Sequence, residues 1–288
     1  MTNDEDLIEI YKSSYYSKPK KIRVNRVVVF DLDETLGSFV DLEILWKTIN
    51  KYRQQHQVDF DSLLDLYPEF IRYGILSILE YLVSKKKSGE CYKVYLYTNN
   101  KSTKEWVDLI VQYFNQKMCH APPLFDHTIY AFKVNNIQIE PYRTTTHKTH
   151  NDFIRCTLLP ASTSICFIDD YMYKHMKKER IYYIKPKAYR HYVSTNEIIT
   201  RFIYSNLGLR IIPTESLKQS FKTDFIEHCM HVGCFRSNLN NIHLHLKNDI
   251  LVSQKLMYYL KEYFLITNKR SKTCKKRGLT FSFTRKRK

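Results

Sequence analysis

The sequence predicts an α/β fold, with a central five-stranded parallel sheet flanked by helices and a helical extension towards the C-terminus. Three observations lead there. Val27-Val28-Val29-Phe30 is a run of four apolar residues, three of them β-branched. So short and apolar a run reads as a strand buried on both faces, which suits the middle of a parallel sheet. Further strand-like runs follow, separated by helical patterns, and that alternation argues for parallel strands with right-handed crossovers. Finally, Asp31, Thr98 and Asp169-Asp170 each come directly after such a run. Ligands of open α/β sheets bind at this C-terminal edge of the strands.

Taken in order, residues 1–20 are polar and read as a frayed lead-in. Lys18, Lys20, Lys21 and Arg23 form a basic approach to the first strand, and Pro19 opposes a helix there. Leu42, Leu45, Trp46 and Ile49 carry a helical pattern, with Asp41 placed to cap or charge its start. A second pattern covers Leu63, Leu66 and Phe70 and, beyond Gly74, Ile75, Ile78, Leu79 and Leu82. It stops at Lys85-Lys86-Lys87-Ser88-Gly89, a helix C-terminal signal.

The second strand is read over Tyr92 to Tyr97, and an amphipathic helix follows through Trp106, Leu109, Ile110, Tyr113 and Phe114. His127 to Phe132 reads as the third strand, 133–146 as a polar loop, and about His147 to Leu158 as a short helix. Thr163 to Ile168 and Ile181 to Ile184 complete the sheet, and a helix near 195–204 closes the unit. Residues 206–265 show two helical stretches, near 214–231 and 240–265. The expected organisation is a polar N-terminal segment (1–22), a main domain (23–205), a helical extension (206–268) and a basic tail (269–288).

Composition bounds the function. The 288 residues are 43% hydrophobic, enough for one large core. No apolar run approaches a membrane span, and the acidic start Met-Thr-Asn-Asp-Glu-Asp does not read as a secretory signal. Seven scattered cysteines argue for a reducing, intracellular compartment rather than a disulfide framework, with Cys166 a buried thiol. The formal charge of +17 favours anionic partners, although 23 tyrosines and only six glycines would also fit an AT-rich genome, such as that of a large DNA virus or an AT-rich eukaryote.

Asp31 and Asp33 are the centre of the chemistry. Side chains alternate along an extended chain, so both carboxylates point the same way past the strand end. Like charges this close need a cation or a shared proton. Taken alone, the pair also reads as a turn in which Asp33 or Thr35 caps a helix.

Asp31-x-Asp33-x-Thr35, then Thr98, then Lys148, then Asp169-Asp170 is an ordered series that resembles the haloacid dehalogenase (HAD) superfamily, from about Arg23 to Tyr204. Within it, the chain is most similar to the phosphatases of the RNA polymerase II C-terminal domain and the NLI-interacting-factor-like proteins. Asp33-Glu34-Thr35-Leu36 is their usual continuation, and Arg72-Tyr73-Gly74 resembles their Arg-Pro-Gly, with Tyr for Pro. Tyr171-Met172-Tyr173 departs from their Ser-Pro after the acids, and the helix-rich stretch from Leu36 to Arg72 is long.

The resemblance implies a HAD-type Rossmann-like fold and a Mg²⁺-dependent phosphatase. Asp31 would be the nucleophile that forms an aspartyl-phosphate, and Asp33 the general acid and then base. Mg²⁺ would be held by Asp31, the Asp33 carbonyl and Asp169 or Asp170, with the direct ligand of that pair left open. Thr98, Asn99 and Lys148 would bind the phosphoryl group, with Lys133 the substitute for Lys148. The expected substrate is a phosphoserine or phosphothreonine in an exposed protein segment. A phosphatase for 3′-phosphorylated nucleic-acid ends and a non-enzymatic binding protein are the alternatives.

Two side signals remain. His228-Cys229-x-His231-x-x-Cys234, with His243-x-His245, has zinc-ligand residue types at irregular spacing, and helix-surface histidines with a buried cysteine are the plainer reading. Residues 269–288 hold ten Lys or Arg and no acid. They read as a disordered tail that is a nuclear signal, a nucleic-acid arm or simply a solvated segment.

Overall fold

The computed structural model describes residues 7–17, 25–119, 121–237 and 242–268. The basic approach at Lys18–Arg23 and the tail 269–288, with Cys274, lie outside the described residues. The strands are β1 (Ile8–Lys12), β2 (Arg26–Phe30), β3 (Lys93–Tyr97), β4 (Phe125–Ile129), β5 (Lys133–Val134), β6 (Ile137–Gln138), β7 (Ser164–Ile168) and β8 (Ile181–Pro186). The helices are α1 (Val40–Tyr52), α2 (Phe60–Asp65), α3 (Ile75–Lys87), α4 (Lys104–Met118), α5 (His150–Thr157), α6 (Thr195–Ile203), α7 (Asn206–Ile211), α8 (Glu215–Val232) and α9 (Ile242–Asn268).

Six strands form the main sheet in the order β1-β8-β7-β2-β3-β4, all parallel except β1. The apolar run at Val27 sits at the centre, and its four residues are fully buried. Phe30 is level with Leu96 of β3 and with Ile168 of β7, so three strands end together. That level edge brings Asp31, Thr98 and Asp169 to one side of the molecule.

The two faces of the sheet are covered unequally. Val28, Phe30, Leu96, Cys166 and Ile184 point into a large core shared with the first four helices and with α6, α8 and α9. Val27, Val29, Tyr95, Phe167 and Tyr183 face a smaller core closed by Phe153 of α5, Leu159 and Met176. α9 is part of the large core: Leu256, Leu260, Tyr263 and Phe264 are buried. The Tyr263 hydroxyl donates to the Ser164 carbonyl at 2.8 Å, under the start of β7.

Several expectations are corrected. The sheet has six strands, not five, because the lead-in supplies β1, antiparallel to β8. Ile8-Glu9-Ile10 alternates as a half-exposed edge strand does, and its charged neighbours mask the signal. β4 begins at Phe125, and the 133–146 loop contains the β5–β6 hairpin. The pattern from Leu63 to Leu82 divides into α2, a 3₁₀ turn at Pro68–Phe70 and α3, since Pro68 and the left-handed Gly74 interrupt it. α7 adds a short helix ahead of α8. Asp41 sits in the first turn of α1 but does not cap it; its carboxylate meets His191 and Arg236 instead. The described cysteines are unpaired, and among the described residues no helix is long and apolar enough to cross a membrane.

Burial of α9 makes a test. Leu256→Ala and Leu260→Ala should each cost about 2–5 kcal/mol in denaturant unfolding, the range for truncating buried leucines. Leu265→Ala, at a position 66% exposed, should stay within about 0.5 kcal/mol. Equal, small effects at all three would mean that α9 does not belong to the core.

Candidate functional site

Lys148 is the hub of the C-terminal edge. It lies just before α5, not inside the helix expected there, and its side chain is 1% exposed. Thr149 fixes it in place by capping α5 through Asp152 N at 3.0 Å, while its own N–H donates to the Tyr97 hydroxyl at 3.2 Å. The Lys148 Nζ donates to Asp31 Oδ1 and, at 2.6 Å, to Asp169 Oδ2. Burial opposes the ammonium charge, but Asp169 and Asp31 outweigh it and hold the group above its ordinary pKa.

Asp31 continues β2, and its N–H donates to Ile168 O at 2.9 Å. Asp169 follows β7, and its second oxygen accepts the Tyr171 N–H at 2.9 Å. Asp170 takes the Thr35 hydroxyl at 3.0 Å and returns its own N–H to the same oxygen at 3.0 Å. Ligand oxygens of Asp31, Asp169 and Asp170 all lie within 4.8 Å of one another. Burial and the Asp31 charge push Asp170 up to about 6 and raise Asp169 as well, against the pull of Lys148.

Asp33 sits on the far side of the turn. Burial raises its pKa to about 7, with a further push from Asp31 and an opposing pull from the Asn100 amide. That amide donates to Asp33 Oδ2 at 2.8 Å. The turn itself is forced. Glu34 has φ +58° and its N–H meets Gly37 O at 2.6 Å. A Cβ on Gly37 would overlap the Phe70 carbonyl and the Phe39 ring, so only glycine fits.

Two buried arginines brace the loops around these acids. Arg72 donates to the carbonyls of Thr35 at 2.6 Å, Glu34 and, at 2.9 Å, Lys187. Arg143 gathers the carbonyls of Thr98, Tyr130 and Thr146 at 3.0, 2.8 and 3.1 Å. It also donates to Asn99 Oδ1 at 2.7 Å. Neither the Arg143 brace nor the Asn100 contact was legible in the sequence. Arg143 stands in a stretch read as a polar loop, and Asn100 follows Asn99 with no pattern to separate them. The Arg72 motif was visible, but not what Arg72 holds.

The structure therefore brings Asp31, Asp33, Lys148, Asp169 and Asp170 into one group, with Thr98 at the same edge. Thr98 is buried, and its Oγ1 accepts the Asn100 N–H at 2.9 Å, which leaves its hydrogen to donate. α4 is capped by Thr103, so Thr98 has no capping duty. Asn99 lies beside the group, but its amide is engaged at both ends, by Arg143 and by the Tyr173 hydroxyl at 2.9 Å. Lys133 is exposed on the β5–β6 hairpin.

Two open clefts lie nearby, the first lined by Asp33 and the second by Asn99 and Tyr171. One, about 370 Å³, is lined by Asp33, Lys47, Asn100, Lys101, Ser102 and His228 among others. The second, about 300 Å³, holds Lys101, Phe132, Lys133, His147, Tyr171 and Tyr173. Lys101 is common to both, so the clefts meet there. The wall formed by α8 at His228 was not foreseen from the sequence. The chain matches no protein-family model, no curated protein and no solved structure.

Proposed function

We propose that the chain is a Mg²⁺-dependent phosphatase of HAD type that works through an aspartyl-phosphate on Asp31, as the motif order implied. The observation that carries this reading is the buried Lys148 ammonium held between Asp31 and Asp169, with Asp33 on the same edge. A structural role would seldom retain so many buried acids in one place.

The donor set fits a hard divalent cation. All three converging side chains offer carboxylate oxygen and none offers nitrogen or sulfur. Asp31, the Asp33 carbonyl and Asp170 would hold it. Asp170 is the freer of the paired acids, because Asp169 is tied by Lys148 and by the Tyr171 amide. When bound, the cation neutralises the repulsion between these acids and a phosphate dianion.

The chain's own groups supply the rest. An Asp31 oxygen attacks phosphorus and the bond to the substrate oxygen breaks. Asp33 gives that leaving oxygen its proton, and a pKa of about 7 keeps the protonated form available near neutrality. The ionised Asp33 then takes a proton from water, whose oxygen attacks phosphorus and frees Asp31. Lys148 and the Thr98 hydroxyl face the phosphoryl oxygens and stabilise their charge. Asn100 holds Asp33 in its working orientation.

The substrate is a phosphoserine or phosphothreonine within an extended protein segment. Two clefts that share Lys101 suit a chain lying along them past Asp33, and Lys101 and Lys133 suit an acidic one. A second reading, a 3′-phosphorylated nucleic-acid end, is favoured by Tyr171, 62% exposed beside Lys101 and Lys133. Mg²⁺-dependent release of phosphate from phosphopeptides and from 3′-phosphorylated oligonucleotides should favour the peptides. A preference for the oligonucleotides would replace the substrate reading, and no turnover of either would remove the enzyme reading.

Trapping tests the chemistry. With a good leaving group, Asp33→Asn should accumulate a phosphoryl adduct on Asp31, since water is no longer activated. Its turnover should fall by about 10²–10⁴-fold, the usual worth of general acid–base help. Asp31→Asn should form no adduct. Intact-protein mass spectrometry with peptide mapping reads both, and an adduct mapped to another residue would refute the assignment.

Lys148→Met tests the hub. The change keeps most of the length of the side chain and leaves Asp31 and Asp169 buried without their cation. Removing one partner from a buried ion pair costs about 3–5 kcal/mol, so urea unfolding without Mg²⁺ should show a loss of that size. Added Mg²⁺ should restore part of it in the variant. A variant as stable as the parent would show that the ammonium does not hold the acids together.

A further inference from the structure

A second group of ligand-type side chains lies outside the acid cluster. It is made by the end of α8 and the start of α1. α8 stops at Gly233, whose φ of +74° turns the chain back on itself. Gly233 N–H meets Met230 O at 3.1 Å, and Cys234 N–H meets Cys229 O at 2.9 Å. This turn returns Cys234 to the side of Cys229. Their sulfurs and a carboxylate oxygen of Asp41 all lie within 4.8 Å of one another.

Asp41 is fully buried, and its two oxygens are treated differently. Oδ2 meets His191 Nε2 at 2.8 Å and Arg236 at 3.3 Å. Oδ1 is buried with no hydrogen bond of ordinary geometry. The Cys229 and Cys234 thiols, weak donors, lie beside the carboxylate. An unpaired buried acceptor costs about 1–3 kcal/mol, and a charged one more. A carboxylate oriented by His191 and Arg236, with a free oxygen beside two sulfurs, has the form of a ligand held by an outer shell.

We propose that Cys229, Cys234 and Asp41 bind a thiophilic divalent cation of the zinc class. The ligand types are those zinc takes, and a water would complete its four-coordination. Charge balances: two thiolates and a carboxylate are offset by the divalent ion and the Arg236 guanidinium. On binding, each thiol loses its proton to solvent as its sulfur joins the metal, and nothing is oxidised. Mg²⁺ does not compete, because thiolates are poor ligands for it. Cys234 is only half-buried and provides the way in. The bound ion clasps α8 to the first turn of α1, and so fixes the wall that His228 and Val232 contribute to the cleft beside Asp33. Neither His228 nor His231, which flank Cys229 in the sequence, belongs to the group.

Cobalt reports such a site directly. The full chain, reduced and stripped with a chelator, is titrated with Co²⁺ under anaerobic conditions. Sulfur-to-cobalt charge-transfer absorption should rise to saturation at one ion per chain and vanish when Zn²⁺ is added. Cys229→Ser and Cys234→Ser should each weaken binding by more than the ~10–100-fold that outer-shell changes cost. Cys119→Ser, an exposed cysteine elsewhere, should change nothing. If Cys229→Ser does not fold, alkylation of the parent protein decides: Zn²⁺ should protect the half-buried Cys234 from iodoacetamide, read by peptide mass spectrometry. Absence of the charge-transfer band, its persistence in Cys234→Ser, or equal alkylation with and without Zn²⁺ would overturn the site. The readout is spectral and chemical, so it stands apart from any phosphatase assay.

Discussion

One ammonium group makes the carboxyl edge of the sheet tenable. Asp31 and Asp169 end neighbouring strands, and the register of β2 against β7 gives them no freedom to separate. Both are nearly buried, so water cannot screen them. Lys148 arrives from a different part of the chain and supplies the missing charge. Its backbone is fixed from both sides: Thr149 is locked by its cap and by Tyr97, and Thr146 is held by Arg143. The site is thus assembled from three strand ends and one loop, and no single segment could form it alone.

Around this hub the chain spends its buried guanidinium groups on carbonyls rather than on carboxylates. Arg72 and Arg143 each make their main bonds to backbone oxygens of loops that leave the sheet. Loop carbonyls at a buried edge need partners, and a planar guanidinium satisfies several at once. The choice has an electrostatic benefit. A guanidinium paired to Asp170 would cancel its charge, whereas the carbonyl-bound arginines leave that carboxylate to the Thr35 hydroxyl.

Much of this was legible in the residues. The apolar run at Val27 identified the central strand, because burial on both faces leaves no polar positions. The acids after β2 and β7 could be placed on one edge from strand polarity alone. Lys148 was named from motif order, although its exclusion from α5 was not foreseen. What escaped were features set by long-range pairing. β1 looks like a polar terminus until β8 is beside it. Asp41 looks like a helix-start charge until His191 and Arg236, far along the chain, surround it. Cys229 and Cys234 were noticed for their residue type, but the left-handed turn at Gly233 and the approach of Asp41 decide which neighbours they have.

The pairing of β1 with β8 has a consequence for how the chain is made. Ile8 lies opposite Pro186, and Lys12 reaches Glu262 on α9. During synthesis the first strand leaves the ribosome long before its partner. At ordinary elongation rates it waits on the order of ten seconds or more. The large core waits longer still, since α9 is the last described helix to appear. Until α9 appears, the faces of β1 and β8 that it packs against have no cover. A nascent chain in that condition is a natural client for ribosome-associated chaperones, and truncation before Leu256 would strand it there.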